Sequence, residues 1–193
     1  GGNGFYDSFR NRLIFPIHDQ IGRVIAFGGR RIDDADDPKY LNSPESELFN
    51  KSATLYALHQ AAQEIRRTRR AIVCEGYMDA IACHQAGMCN VVATLGTAMT
   101  VENARILRRL CDQVVLLFDG DAAGRKAAER AVEVFFAEPI DVRIATLSTL
   151  TDAKDPDELL KRDGGRDVLD EVIARAVDPL DVLFDGIRAR VSE

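Results

Sequence analysis

Six carboxylates stand in three short groups whose spacing could bring them to work on one phosphate. Glu75 and Asp79 lie in Glu75-Gly76-Tyr77-Met78-Asp79, Asp119 and Asp121 flank Gly120, and Asp155 and Asp157 flank Pro156. Each group follows an apolar run of strand length, at residues 71–74, 113–118 and 141–145. A lone aspartate at a strand end is most often a helix cap. Three acidic groups at one edge of a sheet are a different matter, because gathered carboxylates repel unless a cation or a proton compensates them. Oxygen donors without histidine or cysteine select Mg²⁺ or Mn²⁺ rather than zinc. Such a cation polarises a phosphoryl oxygen and offsets charge that builds during in-line displacement, so the chemistry indicated is phosphoryl transfer.

These side chains need a scaffold that presents strand ends together. From residue 71 the chain alternates short apolar runs with amphipathic stretches: strands at 71–74, 90–94, 113–118 and 141–145, and helices at 78–86, 101–110 and 122–137. Repeated βα units predict a parallel sheet with helices on both faces, and ligands of such sheets gather beyond the carboxyl ends of the strands. Gly76 is read as permitting a tight turn into the helix carrying Asp79. Ahead of this region, apolar runs at 13–17 and 23–27 around a Gly22 turn predict an antiparallel hairpin. Residues 33–44, polar and holding Pro38 and Pro44, predict a surface loop. Ser52 is placed as the cap of a helix reaching about Arg67, with Leu55, Leu58, Ala62 and Ile65 on one face. Residues 157–162 and 168–190 read as helical, broken at Gly164-Gly165 and at Pro179.

The chain is 46% hydrophobic over 193 residues, enough for a full core. No apolar run approaches the roughly 20 residues of a membrane span, and a cytoplasmic protein is expected, with no membrane partner. Cys74, Cys83, Cys89 and Cys111 lack paired CxxC spacing and are expected as buried free thiols, with neither a zinc site nor a disulfide framework. His18, His59 and His84 stand away from the acidic groups and are read as structural. Net charge is −6, and while Arg10, Arg12, Arg23, Arg30, Arg31, Lys39, Lys51, Arg66, Arg67, Arg69 and Arg70 give the part before residue 71 a slight basic balance, the acidic excess is segregated in the second half. Composition alone makes that segregation ordinary solvated charge.

The three acidic groups resemble the signature of the Toprim domain, shared by primases, type IA and type II topoisomerases and some nucleases. The block before them narrows the resemblance. Phe9-Arg10-Asn11-Arg12-Leu13-Ile14-Phe15-Pro16-Ile17, Ala26-Phe27-Gly28-Gly29-Arg30 and Pro38-Lys39-Tyr40-Leu41-Asn42-Ser43-Pro44-Glu45 are similar to the segment preceding Toprim in bacterial DnaG-type primases. Leu95-Gly96-Thr97 and Asp121-Ala122-Ala123-Gly124-Arg125 fit as well. The resemblance implies an α/β fold: a Toprim-type parallel sheet at 69–158, preceded by a small mixed α+β basic subdomain at 1–68 and followed by the start of a helical region at 159–193.

It implies DNA-templated synthesis of short RNA primers from ribonucleoside triphosphates on single-stranded DNA at the replication fork. Glu75 would be the acidic residue closest to the chemistry, as metal ligand or as the base for the attacking 3′-hydroxyl. Asp119 and Asp121 would hold the metal and share the catalytic role, with Asp155, Asp157 and Asp79 supporting. Arg30, Lys39, Asn42 and Lys51 would line the site as a basic surface for triphosphate and nucleic acid, with Arg10 and Arg12 from the same block. The front-half basic bias thereby gains a specific purpose. Arg66 to Arg70 match no motif of the family and remain a solvated helix end, and Tyr77 and Met78 are read as packing at a helix start. The family also has a zinc-binding module before this region and a helicase-contacting module after it. The chain is therefore expected to be a fragment that contacts neither partner itself, holds no zinc and primes poorly. A Toprim nuclease or topoisomerase fragment is the alternative, and a noncatalytic nucleic-acid scaffold is a third reading.

Overall fold

The computed structural model describes residues 7–119, 134, 138–182 and 184. Asp121, the predicted helix at 122–137 apart from Val134, and most of the chain beyond residue 182 lie outside the described residues.

The hydrophobic pattern from residue 70 onward produces a four-stranded parallel sheet. Strands β4 (Arg70–Cys74), β5 (Val91–Ala93), β6 (Gln113–Phe118) and β7 (Asp141–Thr146) run in the order β5-β4-β6-β7. Consecutive strand residues face opposite sides, and both sides here are apolar. Ala71, Val73, Val114, Leu116 and Phe118 join one core with Leu58, Ala61 and Ile65 of α1 (Leu58–Thr68) and Ala104 and Leu107 of α3 (Val101–Arg108). Ile72, Cys74, Val115 and Leu117 join the other, with Ala80 and Cys83 of α2 (Tyr77–Gln85), Leu159 of α4 (Pro156–Leu160) and Leu169, Val172 and Ile173 of α5 (Gly165–Ala174). Helices cover both faces, as the βα repeat predicts. Among the described residues no helix is long and apolar enough to cross a membrane.

A second, antiparallel sheet precedes this one. β1 (Arg12–His18) pairs with β2 (Val24–Arg31), and β2 with β3 (Tyr40–Asn42). Asp19 holds the hairpin turn by accepting the N–H groups of Ile21 and Arg23 at 3.0 and 2.9 Å, while Gly22 takes the left-handed φ of 89°. Phe15, Ile17, Ala26, Phe49, Tyr77 and Leu95 form the small core between the two sheets.

Three expectations need correction. The stretch 33–44 is not all loop, because Tyr40–Asn42 pairs with residues 28–30 as a third strand. Ser52 does not cap a long helix. Asn50 caps a short 3₁₀ turn at Lys51–Ala53, Tyr56 exchanges backbone hydrogen bonds with Ala93 at 2.8 and 3.1 Å, and the α-helix begins only at Leu58. Pairing with the sheet edge draws the backbone at Tyr56 out of helical geometry, while Leu55 and Leu58 still reach the core. The cysteines divide: Cys74, Cys83 and Cys111 are buried free thiols, and Cys89 is exposed. Burial pushes the Cys83 thiol up to about 12 and the Cys111 thiol up to about 11, which keeps both protonated and unreactive.

Candidate active site

The strand order places the topological switch between β4 and β6, where the chain turns outward to one edge of the sheet and then to the other. A crevice opens beyond the carboxyl ends of strands at such a point. Glu75 leaves β4 and Asp119 leaves β6 directly into it, Glu75 exposed and Asp119 half-buried. The cleft there encloses about 270 Å³. Glu75, Asp79, Asp119, Asp155 and Asp157 line it, and so do Arg30, Lys39 and Asn42 from the antiparallel sheet. Eight of the twelve positions singled out in the sequence thus share one cavity, although they come from five separate stretches of chain. Lys51, Arg10 and Arg12 are not brought into it. Lys51 starts the 3₁₀ turn, where its N–H donates to Glu45 at 3.1 Å. The Arg12 guanidinium donates to the Pro38 carbonyl at 2.6 Å, bracing the segment that leads to Lys39.

Local geometry explains how each carboxylate is held. Gly76 adopts an extended φ of −126°, so the tight-turn reading fails there. Its lack of a side chain matters for a different reason: a Cβ at Gly76 would stand 3.0 Å from Asp79 Oδ2. Asp79 is only 8% exposed and accepts the Asp157 N–H at 3.4 Å. Burial, and after it the neighbouring Asp155 carboxylate, push the Asp79 carboxyl up to about 6. Asp155 caps α4, accepting the Glu158 N–H at 2.7 Å, so the bland reading of a strand-end aspartate is also satisfied. Asp157 pairs with Lys161 at 2.7 Å in the first turn of the same helix.

Aromatic side chains form the floor between the acidic and basic walls. Tyr77, 4% exposed, packs against Phe15, Tyr56 and Tyr40 with ring centroids 5.6, 5.0 and 5.6 Å away. Its hydroxyl donates to Asn42 Oδ1. Burial, and then the neighbouring Tyr40 and Tyr56, hold the Tyr77 hydroxyl up at about 12, so it remains a neutral donor at physiological pH. Packing at a helix start accounts for Tyr77, but that hydrogen bond was not legible in the sequence. Tyr40, Thr94 and Gly96 also line the cleft without having been singled out for it. Alternation through Tyr40-Leu41-Asn42 was the available signal for Tyr40, masked by the prolines on either side. The Lys39 ammonium lies 5.7 Å from the Tyr40 ring centroid, within cation–π range. His18, His59 and His84 do not line the cleft. His84 Nε2 lies 2.8 Å from the Val91 carbonyl.

The donor set suits a hard divalent cation: five carboxylates and no histidine or cysteine line the cavity. Burial is the larger cause of the upward shift at Asp79, and the neighbouring Asp155 carboxylate adds to it the repulsion that a cation would relieve. Among the described residues no three such groups stand close enough to make a ready-built metal cage.

A parallel sheet with acidic groups at its switch point, preceded by a small antiparallel sheet that brings Arg30 and Lys39 to the same cleft, defines a Toprim-fold protein. Family comparisons agree on both parts. Residues 1–62 match the DNA primase catalytic core, N-terminal domain, and residues 72–160 match a Toprim-like model. A DNA primase of Halalkalibacterium halodurans is 44% identical over 172 residues, covering 89% of this chain and 28% of that protein. The E. coli primase catalytic core superposes with a TM-score of 0.87 at 39% identity, over 98% of this chain and 60% of that one. A DnaG primase catalytic domain bound to ssDNA superposes with a TM-score of 0.85 at 39% identity, over 96% of this chain and 59% of that one. The chain belongs to the DNA primase family, within its catalytic core. It spans about a quarter to a third of the length of the curated relatives it matches.

Proposed function

We propose that this chain forms the nucleotidyl-transfer centre of a primase, joining ribonucleoside triphosphates into an RNA primer on a single-stranded DNA template. One observation carries the reading: a single cleft is lined by carboxylates from the parallel-sheet region and by Arg30 and Lys39 from the antiparallel sheet, which we take as its two walls. Nucleotidyl transfer needs both, one wall for cations and one for triphosphate oxygens. That a related catalytic domain is bound to ssDNA supports a single-stranded DNA template.

Glu75, Asp119 and Asp121 would hold Mg²⁺ or Mn²⁺, with Asp79, Asp155 and Asp157 supporting. The bound cation supplies Lewis acidity at the phosphoryl group and offsets charge on the leaving pyrophosphate. Lys39 and Arg30 orient the triphosphate and neutralise part of its charge. Glu75, at the exposed lip of the cleft, either binds the cation or takes the proton of the attacking 3′-hydroxyl. The basic block matched over residues 1–62 favours this reading over a Toprim nuclease or topoisomerase.

Product analysis separates the readings. The protein is incubated with Mn²⁺, ribonucleotides and single-stranded template in one reaction, and with supercoiled plasmid in another. Short RNA products with intact plasmid are expected. Nicked or relaxed plasmid without RNA would overturn the proposal.

A further inference from the structure

Asn42 occupies an unusual place for a residue that would touch nucleotide. It closes β3, and both ends of its amide are engaged inside the protein. Oδ1 accepts the Tyr77 hydroxyl, and Nδ2 donates to the Leu95 carbonyl at 3.0 Å. Tyr77 is the first residue of α2, two positions after Glu75. Leu95, 1% exposed, lies between Thr94 and Gly96, which both line the cleft. Asn42 itself pairs with Gly28 in the antiparallel sheet. The Tyr77 side chain lies so close over that glycine that a Cβ there would stand 2.9 Å from two ring carbons and 2.9 Å from the hydroxyl oxygen. The two walls of the cleft are thus joined at one polar point set above an aromatic contact.

We infer that Asn42 and Tyr77 are positioning residues that fix the separation of the two walls, so that cation and triphosphate are bound as one unit. Asn42 acts through Tyr77 and Leu95 rather than by touching the nucleotide. Both side chains line the cleft, but the Tyr77 hydroxyl spends its single hydrogen on Asn42, and Asn42 commits one Nδ2 hydrogen and one Oδ1 lone pair to the protein, which fixes the orientation of its amide. The inference rests on the two-wall reading of the site. Its consequence is a coupling: each wall binds its own ligand unaided, and the fixed spacing makes joint binding stronger than either part implies.

Three affinities of the full chain measure this: Mn²⁺ alone, ATP alone with chelator present, and the preformed Mn²⁺·ATP complex, each by calorimetry. For Asn42→Ala and Tyr77→Phe, the affinities for Mn²⁺ alone and for ATP alone should stay within about twofold of the parent, while that for Mn²⁺·ATP falls about tenfold. The double variant should lose no more than either single one, because both changes break the same link. Tyr77→Phe keeps the ring packing, so it serves even if Asn42→Ala folds poorly. If Asn42→Ala weakens ATP alone while Tyr77→Phe does not, Asn42 is a direct contact and the inference fails. If both variants keep the parent affinity for Mn²⁺·ATP, the link does not set the spacing. If the parent binds Mn²⁺·ATP no more tightly than ATP alone, the two-wall site itself is wrong and takes the inference with it.

Discussion

Asp79 accepts the backbone N–H of Asp157 at 3.4 Å, a contact between residues 78 apart that ties the first turn of α2 to the first turn of α4. It draws two of the three acidic groups together, and it does so with a carboxyl buried beside two others. Burial and the neighbouring Asp155 carboxylate put that carboxyl under electrostatic strain.

That strain has a pH signature. The Asp79 carboxyl, raised from 3.8 to about 6 by burial first and Asp155 next, binds a proton more readily in the folded chain than in the unfolded one. The folded state is therefore favoured by protonation, and this contribution is lost as pH rises from about 4 through about 6. In chelator, the parent should gain stability relative to Asp79→Asn as pH falls from 7 to 4, by about 2–3 kcal/mol. Urea unfolding at several pH values checks this, and a difference independent of pH would contradict it.

The close approach of Tyr77 to Gly28 makes a second prediction. Gly28→Ala would place a methyl group within 2.9 Å of the ring, which is confined by Phe15, Tyr56 and Tyr40. Overpacking of this kind costs about 1–3 kcal/mol. Denaturant unfolding should show that loss, together with weaker binding of Mn²⁺·ATP. Parent-like stability would mean the seam between the sheets is looser than the geometry indicates.

Metal affinity and helix capping separate at the third acidic group. Asp155→Asn retains a capping oxygen for Glu158 but removes a charge from the cleft, whereas Asp155→Ala removes both. The alanine variant should lose about 1 kcal/mol of stability and the asparagine variant far less. Both should weaken Mn²⁺ binding, as should Asp119→Asn, by about tenfold, since ligand charge sets affinity for hard cations. Unchanged Mn²⁺ binding in all three would support a noncatalytic scaffold instead.

The walls should also respond separately to salt. Lys39→Ala should weaken ATP binding without altering Mn²⁺ binding, and should flatten the dependence of ATP affinity on ionic strength. Loss of Mn²⁺ binding in this variant would contradict the division of the cleft into two walls.

The parallel sheet was legible because Ala71 to Cys74 and Gln113 to Phe118 are short apolar runs buried on both faces, alternating with amphipathic helices. Tyr40–Asn42 was not, because three residues between prolines carry too little periodicity, and their pairing with β2 depends on a partner distant in sequence. The helix start failed for a similar reason: Tyr56 obeys Ala93, across the fold, rather than its neighbours. At the site, the acidic groups could be read from strand ends, whereas their meeting with Arg30 and Lys39 came only from the family resemblance. Gly76 shows the limit of a local rule, since its lack of a side chain accommodates Asp79 rather than a turn. The Asn42–Tyr77 bond left no trace in spacing at all.

We propose that one cleft binds catalytic cations on its carboxylate wall and the incoming triphosphate on its basic wall. A crystal structure of the chain with Mn²⁺ and a ribonucleoside triphosphate tests it most directly. Mn²⁺ is expected against Glu75 and Asp119, with triphosphate oxygens beside Lys39 and Arg30. Triphosphate ordered elsewhere on the molecule, with these carboxylates free of metal, would contradict it.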